Sequence, residues 1–232
     1  CFIIRKFYKG PLTTKGGGVK VLITAGSTRV PIDKVRFISN GFKGKTGRDI
    51  ARFFDENGVQ VTLLTSGEMW DGATAGSQCI RFETFEELSA LMEAHIKNGS
   101  FDAVIHSAAV SDYAVTRVLD ENFQPLASEG KISSEHPRLY LEIERTKKLV
   151  DQIRGPWAFT GKLVKFKLQV GISDGELLEI AEKSRVASGA DMVVANCLEW
   201  AKEYAYIVSG TSAIRVSRKA LRSQLYWRLT NA

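Results

Sequence analysis

The sequence has little of what metal sites and disulfide frameworks are built from. Its 232 residues contain three cysteines, at positions 1, 79 and 197, and three histidines, at positions 95, 106 and 136. An odd number of scattered cysteines without metal-ligand spacing argues against both a disulfide framework and a zinc site. It fits a reducing compartment, so we expect a cytoplasmic protein.

Long apolar runs and dense basic blocks are also missing. No apolar run approaches the roughly 20 residues that a membrane span needs, and residues 1–18 lack the apolar core of a signal peptide. Without a Lys/Arg block or an RNA-binding signature, we expect neither a membrane nor a nucleic acid as partner. The net charge of +6 suits small anionic ligands such as phosphates. We predict an N-terminal extension over residues 1–18 and a single domain over residues 19–232.

The loop SNGFKGKTG lacks one residue of a P-loop, G-x-x-x-x-G-K-[ST]: Ser39 stands where the first glycine belongs, before Gly44, Lys45 and Thr46. The preceding DKVRFI does not resemble a buried strand, and no later strand ends in the aspartate that holds Mg²⁺ in P-loop enzymes. We therefore predict no Walker loop. Glycines at a helix start can still let the backbone approach a phosphate. A Gly-rich turn before an ordinary helix is the alternative.

Hydrophobic periodicity predicts an α/β fold. Apolar runs over 19–26, 59–66 and 101–110 alternate with helical patterns over 46–58 and 84–99, the second opened by a Thr84/Glu87 capping box. This order predicts a Rossmann-like, mostly parallel sheet flanked by helices. Further strands are expected at 138–145, 157–169 and 190–197, with helices at 147–155 and 173–189, then a strand pair and a last helix. Residues 27–40 and 111–136 are expected to be loops.

Small and polar residues gather at four predicted strand ends. These are TAGST (24–28), HSAAVSDY (106–113), KFKLQ (165–169) and VANC (194–197). Ligands of open α/β sheets bind at the carboxyl ends of the strands. Asp112 could pair with a metal ion or a sugar hydroxyl, and Asn196 could hydrogen-bond a ligand, although each alone is more often a turn or cap residue.

Five segments, in order, resemble motifs of the phosphopantothenate–cysteine ligases, also called phosphopantothenoylcysteine synthetases. They are VLITAGSTRVPIDKVRFISN, resembling T-A-G-G-T-x-x-P-I-D-x-V-R-x-I-S-N, then HSAAVSDY, GKISS, KFKLQ and VAN. The resemblance spans residues 19 to about 198. It implies activation of 4′-phosphopantothenate by CTP or ATP with Mg²⁺. An acyl-nucleotide then reacts with the amine of cysteine, a step of coenzyme A biosynthesis.

The resemblance also implies roles for particular residues. Asn40 would stabilise the reacting carbonyl of the acyl-nucleotide, Arg36 would hold a phosphate or carboxylate, and Lys131 would meet the triphosphate. Eight further residues are expected to bind substrate or nucleotide: Gly26, Gly44, Gly47, Ala108, Ala109, Asp112, Phe166 and Asn196. Asp112 is the one residue considered as a possible metal ligand. A stand-alone ligase that forms a homodimer is expected.

The chain departs from the family pattern at several positions. Ser27 replaces a glycine of T-A-G-G-T, Lys165 stands where glycine is frequent, and Ser184 and Ser188 stand where lysines are common, so the choice of CTP or ATP stays open. A nicotinamide-dependent oxidoreductase is the main alternative, but G-x-G-x-x-G is absent and the second strand ends in Ser66 rather than an acidic residue. A non-catalytic nucleotide-binding module is the other.

Overall fold

The computed structural model describes residues 18–70, 72, 76–210 and 212–231, so residues 1–17 of the predicted extension lie outside the described residues. Its centre is an eight-stranded sheet made of β1 Lys20–Ala25, β4 Gln60–Thr65, β5 Gln78–Arg81, β6 Ala103–His106, β10 Lys162–Gln169, β11 Met192–Cys197, β12 Tyr204–Ser209 and β13 Ser212–Ser217. The strand order is β13-β12-β11-β10-β6-β1-β4-β5. The six strands from β11 to β5 run parallel, and β12 and β13 add antiparallel at the β11 edge.

Helices cover both faces of this sheet. They are α1 Lys45–Glu56, α2 Phe85–Asn98, α3 Leu149–Arg154, α4 Asp174–Ser188 and α5 Arg218–Thr230. Along β1, Val21 and Ile23 pack with α1 and α5, whereas Leu22 packs with α2 and α3. Burial on both faces explains why β1 is an unbroken apolar run. The predicted Rossmann-like fold, with its terminal strand pair and helix, is confirmed.

Local helix signals match the structure closely. Thr84 and Glu87 form the predicted capping box of α2, and Ser173 with Glu176 forms a second one at α4. Gly189 ends α4 in the left-handed region, at φ 61°. Within the described part of the chain, no helix has the length and apolar character needed to cross a bilayer.

Two regions that the sequence predicted to be loops are strands. Residues 27–40 contain the short antiparallel pair β2 Arg29–Pro31 and β3 Phe37–Ser39. Residues 111–136 contain β7 Tyr113–Leu119 and β8 Pro125–Leu126, which join β9 Tyr140–Arg145 in a three-stranded antiparallel sheet. A register shift between Val115 and Arg117 interrupts the pairing of β7 with β9, and this irregularity hides the alternation of a strand. The edge strand β5 was not predicted.

Candidate functional site

The backbone joins the segments that follow β1 and β6. Ala109 N donates to Gly26 O at 2.8 Å, and Thr28 N donates to Ala109 O at 3.2 Å. Ala108 N donates to the Thr24 hydroxyl at 3.1 Å. Gly26, Ala108 and Ala109, predicted from the sequence as binding residues, therefore lie side by side at the carboxyl edge of the sheet.

The first turn of α1 presses against this edge. At Gly44, which has φ 74°, a Cβ atom would lie 2.6 Å from Gly26 N, and at Gly47 it would lie 2.5 Å from Ser107 Oγ. A Cβ at Gly41 would meet no atom of the described residues within 4 Å. Gly44 and Gly47 are thus required by helix packing, which leaves their predicted contact with phosphate a separate proposal. The loop follows the exposed antiparallel strand β3, so it is not a Walker loop, as predicted.

Asn40 lines a cavity of about 450 Å³ beside the ends of β1 and β4. The Ser27 hydroxyl donates to Asn40 O at 3.0 Å, and Ser27 N donates to Ser66 Oγ at 2.8 Å. Ser27, the departure from the T-A-G-G-T pattern, therefore fixes the backbone at Asn40. The other lining residues include three cations and one acid: Arg29, Lys43, Arg48 and Glu68.

Arg48 gives this cavity a largely buried positive charge. Its side chain is 15% exposed and pairs with Glu68 at 2.8 Å, while its Nε has no hydrogen-bond partner among the described residues. The first turn of α1 contains no acidic residue, and its N-cap Gly44 supplies no side-chain cap. The positive end of the helix dipole adds to the charge of Arg48, so the wall beside Asn40 favours anions.

Arg36 lies at the tip of the β2–β3 hairpin, bound to Asp33. Arg36 Nε donates to Asp33 Oδ2 at 2.9 Å, and Arg36 Nη2 donates to Ile132 O at 2.8 Å. Ile132 N donates to Asp33 Oδ2 at 3.1 Å, and Lys34 N donates to Gly130 O at 3.2 Å. These bonds hold the segment carrying Lys131 against the hairpin tip. Extended strand geometry separates Arg36 from Asn40 by about 13 Å along β3.

A second group of residues lies on the sheet face covered by α1 and α5. Phe166 packs with that core, and Asn196 is buried opposite Leu168 in the β10–β11 register. Arg218 Nη1 donates to Asn196 Oδ1 at 3.4 Å, and Arg218 Nη2 donates to Thr46 Oγ1. Arg218 therefore links the end of β11 to the first turn of α1.

The other face of the sheet carries Lys165 and His106, which are paired in the β10–β6 register. Lys165 Nζ donates to the backbone oxygen of Ser184 at 3.4 Å, so two departures from the family pattern contact each other. Burial lowers the pKa of Lys165. Burial, with a smaller effect of Lys165, lowers the pKa of His106 to about 4, so its ring is neutral and bonds the Thr24 hydroxyl at 2.9 Å.

The structure groups most of the predicted residues into neighbouring clusters. Asn40, the three glycines and the two alanines meet at the β1–β6 edge, and exposed Asp112 follows them. The segment that carries Lys131 is held at the hairpin tip beside Arg36, and Phe166 and Asn196 lie on one sheet face, where Arg218 bonds Asn196. Sequence reasoning missed Asp33, Arg48 and Arg218. The motif P-I-D-x-V-R already contained Asp33 three residues before Arg36, but no local signal marked Arg218.

A known protein family matches this chain. Residues 17–225 match the family described as the DNA/pantothenate metabolism flavoprotein C-terminal domain. The chain belongs to this family. The match confirms the resemblance to phosphopantothenate–cysteine ligases that five ordered segments predicted.

Individual proteins and solved structures are also similar to this chain. The coenzyme A biosynthesis bifunctional protein CoaBC of Thermococcus kodakarensis is 36% identical over 199 residues, 85% of this chain and 45% of that protein. The chain thus spans about half the length of the curated relatives it matches. The DNA/pantothenate metabolism flavoprotein of Streptococcus pneumoniae superposes with a TM-score of 0.80 at 24% identity, covering 92% of this chain and 99% of that one. A Cab2 H337A mutant complexed with phosphopantothenate-cysteine gives 0.72 at 19% identity, covering 92% and 85%. Both structures share the fold.

Proposed function

We propose that this chain ligates 4′-phosphopantothenate to cysteine at the expense of a nucleoside triphosphate, CTP or ATP. A carboxylate oxygen of phosphopantothenate attacks the α-phosphorus, which releases pyrophosphate and forms the acyl-nucleotide. The cysteine amine then attacks the acyl carbon, the C–O bond breaks, and the nucleoside monophosphate leaves as the nitrogen loses a proton. The observation that carries this proposal is the position of Asn40, on a cation-lined cavity beside the first turn of α1.

Asn40 is the proposed catalytic residue because a carboxamide N–H can stabilise charge that develops on the reacting carbonyl. One preorganised donor of this kind contributes about 2.7–4 kcal/mol to a transition state. The bonds from Ser27 to Asn40 O and from Ser27 N to Ser66 Oγ support such preorganisation. Gly26, Gly44, Gly47, Ala108, Ala109, Phe166 and Asn196 are the proposed binding residues, and Arg36 and Lys131 the proposed charge partners.

Mg²⁺ is proposed to enter with the triphosphate. Among the described residues, no three His, Cys, Asp or Glu side chains gather as a metal site. Phosphate oxygens and water are the proposed main ligands of the ion, and Asp112 is the one proposed carboxylate ligand. Bound there, Mg²⁺ would supply neutralisation of phosphate charge.

A cytoplasmic homodimer is the proposed assembly. Apolar side chains of the β2–β3 hairpin are exposed, namely Val35, Phe37 and Ile38, and Ile143 is exposed on β9. Such surfaces suit an interface between subunits. Light scattering after size-exclusion chromatography measures the oligomeric state of the protein. A monomer at micromolar concentration would contradict the proposed homodimer.

A pyrophosphate assay tests the reaction. The protein is incubated with 4′-phosphopantothenate, cysteine, Mg²⁺ and either CTP or ATP, and pyrophosphate release is followed. We expect catalytic release with at least one nucleotide, no release without phosphopantothenate, and at most one equivalent without cysteine. No release with either nucleotide would remove the proposal. A parallel incubation with a nicotinamide cofactor tests the alternative function, because an oxidoreductase would change the absorbance of that cofactor.

A further inference from the structure

Arg218 is a charged side chain that the family motifs do not include. It is the first residue of α5, after the N-cap Ser217, and lies half-buried beside Thr46 and Asn196. Both partners are neutral side-chain oxygens. Among the described residues, no carboxylate lies within ion-pair distance of its guanidinium.

The position of this charge is electrostatically unfavourable without an anion. Burial lowers the pKa of Arg218, and Asp49 opposes that effect only through a weaker charge interaction. Arg218 stands in the first turn of α5 and reaches the first turn of α1, and neither turn contains an acidic residue. The positive ends of both helix dipoles therefore add to its charge.

Packing does not require the charge. The contact between α1 and α5 is already made by Phe53 and Phe54 edge-on to Tyr226, at 5.8 and 5.4 Å between ring centroids. Leu221 and Leu225 extend the same core. An uncharged side chain at position 218 would leave this apolar contact in place.

We propose that Arg218 binds the triphosphate of the nucleotide, and that its bonds to Asn196 and Thr46 hold the guanidinium in place for this contact. The inference rests on the proposed function and deepens it. Gly44 and Gly47 flank Thr46 in the chain, and Asn196 and Phe166 lie on the same sheet face, so a triphosphate at the first turn of α1 would lie within reach of the guanidinium. A planar guanidinium suits phosphate oxygens because it offers paired donors.

Binding measurements on two variants test this role. Calorimetry with CTP, ATP and their monophosphates, in Mg²⁺, compares the unaltered protein with Arg218→Gln and with Lys219→Gln, which removes the same charge from an exposed neighbour. We expect Arg218→Gln to weaken triphosphate binding by about tenfold to a hundredfold and monophosphate binding much less. We expect Lys219→Gln to bind like the unaltered protein.

Kinetics separate phosphate binding from a merely structural role. Arg218→Gln should raise the KM for the nucleotide and leave the KM for phosphopantothenate unchanged, and Arg218→Lys should recover part of the loss. Triphosphate affinity within twofold of the unaltered protein, or equal losses for triphosphate and monophosphate, would overturn the role of Arg218 alone. If the unaltered protein binds neither nucleotide, both the inference and the proposed function fail. Should circular dichroism show that Arg218→Gln does not fold, Arg218→Met, which is likewise uncharged, takes its place in the same comparison.

Discussion

Asp33 holds Arg36 through the guanidinium: Nε and Nη2 both donate to Asp33 Oδ2, at 2.9 and 2.5 Å. The same carboxylate accepts from Val35 N, Arg36 N and Ile132 N, and its side chain is fully buried. One aspartate therefore closes the hairpin tip, fixes Arg36 and anchors the segment that carries Lys131. Its role is to position these residues.

Asp33→Asn should destabilise the protein near neutral pH. The Arg36 side chain, helped by three backbone N–H groups, holds the pKa of Asp33 well below its usual range. Because the folded-state pKa is depressed, the stabilisation is present above about pH 4 and is lost as pH falls below that value. We expect a Tm lower by roughly 5 °C at pH 7 and a smaller difference at pH 3.

The control for Asp33→Asn is Glu129→Gln, which removes an exposed carboxylate from the segment before Lys131. Thermal unfolding at the two pH values should leave this variant close to the unaltered protein. An equal loss of Tm in both variants would show that net charge, and not the buried carboxylate, is responsible.

Asn40→Asp should abolish most turnover while the fold persists. A carboxylate in place of the carboxamide offers no N–H to the reacting carbonyl and repels the developing charge, so kcat should fall by about 10²–10³-fold. Pyrophosphate release measures the rate, and circular dichroism checks the fold. Asn98→Asp, at the exposed end of α2, makes the same chemical change away from the cavity. Full activity of Asn40→Asp would remove Asn40 from its proposed role.

Gly44→Ala should displace or destabilise the first turn of α1. Its φ of 74° is unfavourable for alanine, and the added Cβ would lie 2.6 Å from the backbone nitrogen of Gly26. The expected cost is about 1–3 kcal/mol, measured by denaturant unfolding. Gly41→Ala is the matched control, since in the described part of the chain its Cβ meets no atom within 4 Å, and it should change stability by less than about 0.5 kcal/mol. Equal stability of the two variants would contradict the packing described for Gly44.

His106 should make the protein less stable as the medium becomes acidic. Its folded-state pKa is about 4, so between about pH 6.5 and 4 the unfolded chain binds a proton that the folded chain does not. The free energy of unfolding should therefore fall by up to about 1.4 kcal/mol per pH unit over that range. His106→Gln should reduce this dependence of the free energy of unfolding on pH. The control variant is His136→Gln, which replaces a histidine that lies beside Glu121 in the segment before β9, and it should keep the dependence. A slope that His106→Gln leaves unchanged would assign it to other groups.

Local signals in the sequence predicted local structure well. The apolar run of β1 and the Thr84/Glu87 capping box of α2 each involve only a few neighbouring residues. Both elements lie where the sequence predicted them. The β2–β3 hairpin was missed because each of its strands has only three residues. One residue of β2 is a proline, Pro31, and all three residues of β3 are exposed. Short exposed strands bury too little to leave a hydrophobic pattern.

Contacts between distant parts of the chain could not be predicted from local pattern. Arg218 meets Thr46 across 172 positions, and Asp33 meets Ile132 across 99. Such pairs depend on how the sheet orders its strands, and one sequence does not contain that information locally. The family motifs identified Arg36 and Asn40, but the strand that separates them is visible only in the fold.

The backbone bonds between Gly26, Thr28 and Ala109 continue the β1–β6 ladder beyond the strands themselves. Amide protons bound in this way exchange slowly with solvent, since the ladder must open before they are released. Ser27, which pairs with Ala109 in this ladder and lines the cavity, binds the backbone of Asn40, whereas the exposed residues 41–43 of the cavity wall belong to no strand. Any adjustment to an arriving substrate therefore falls to residues 41–43, while the backbone at Asn40 keeps one position for every ligand.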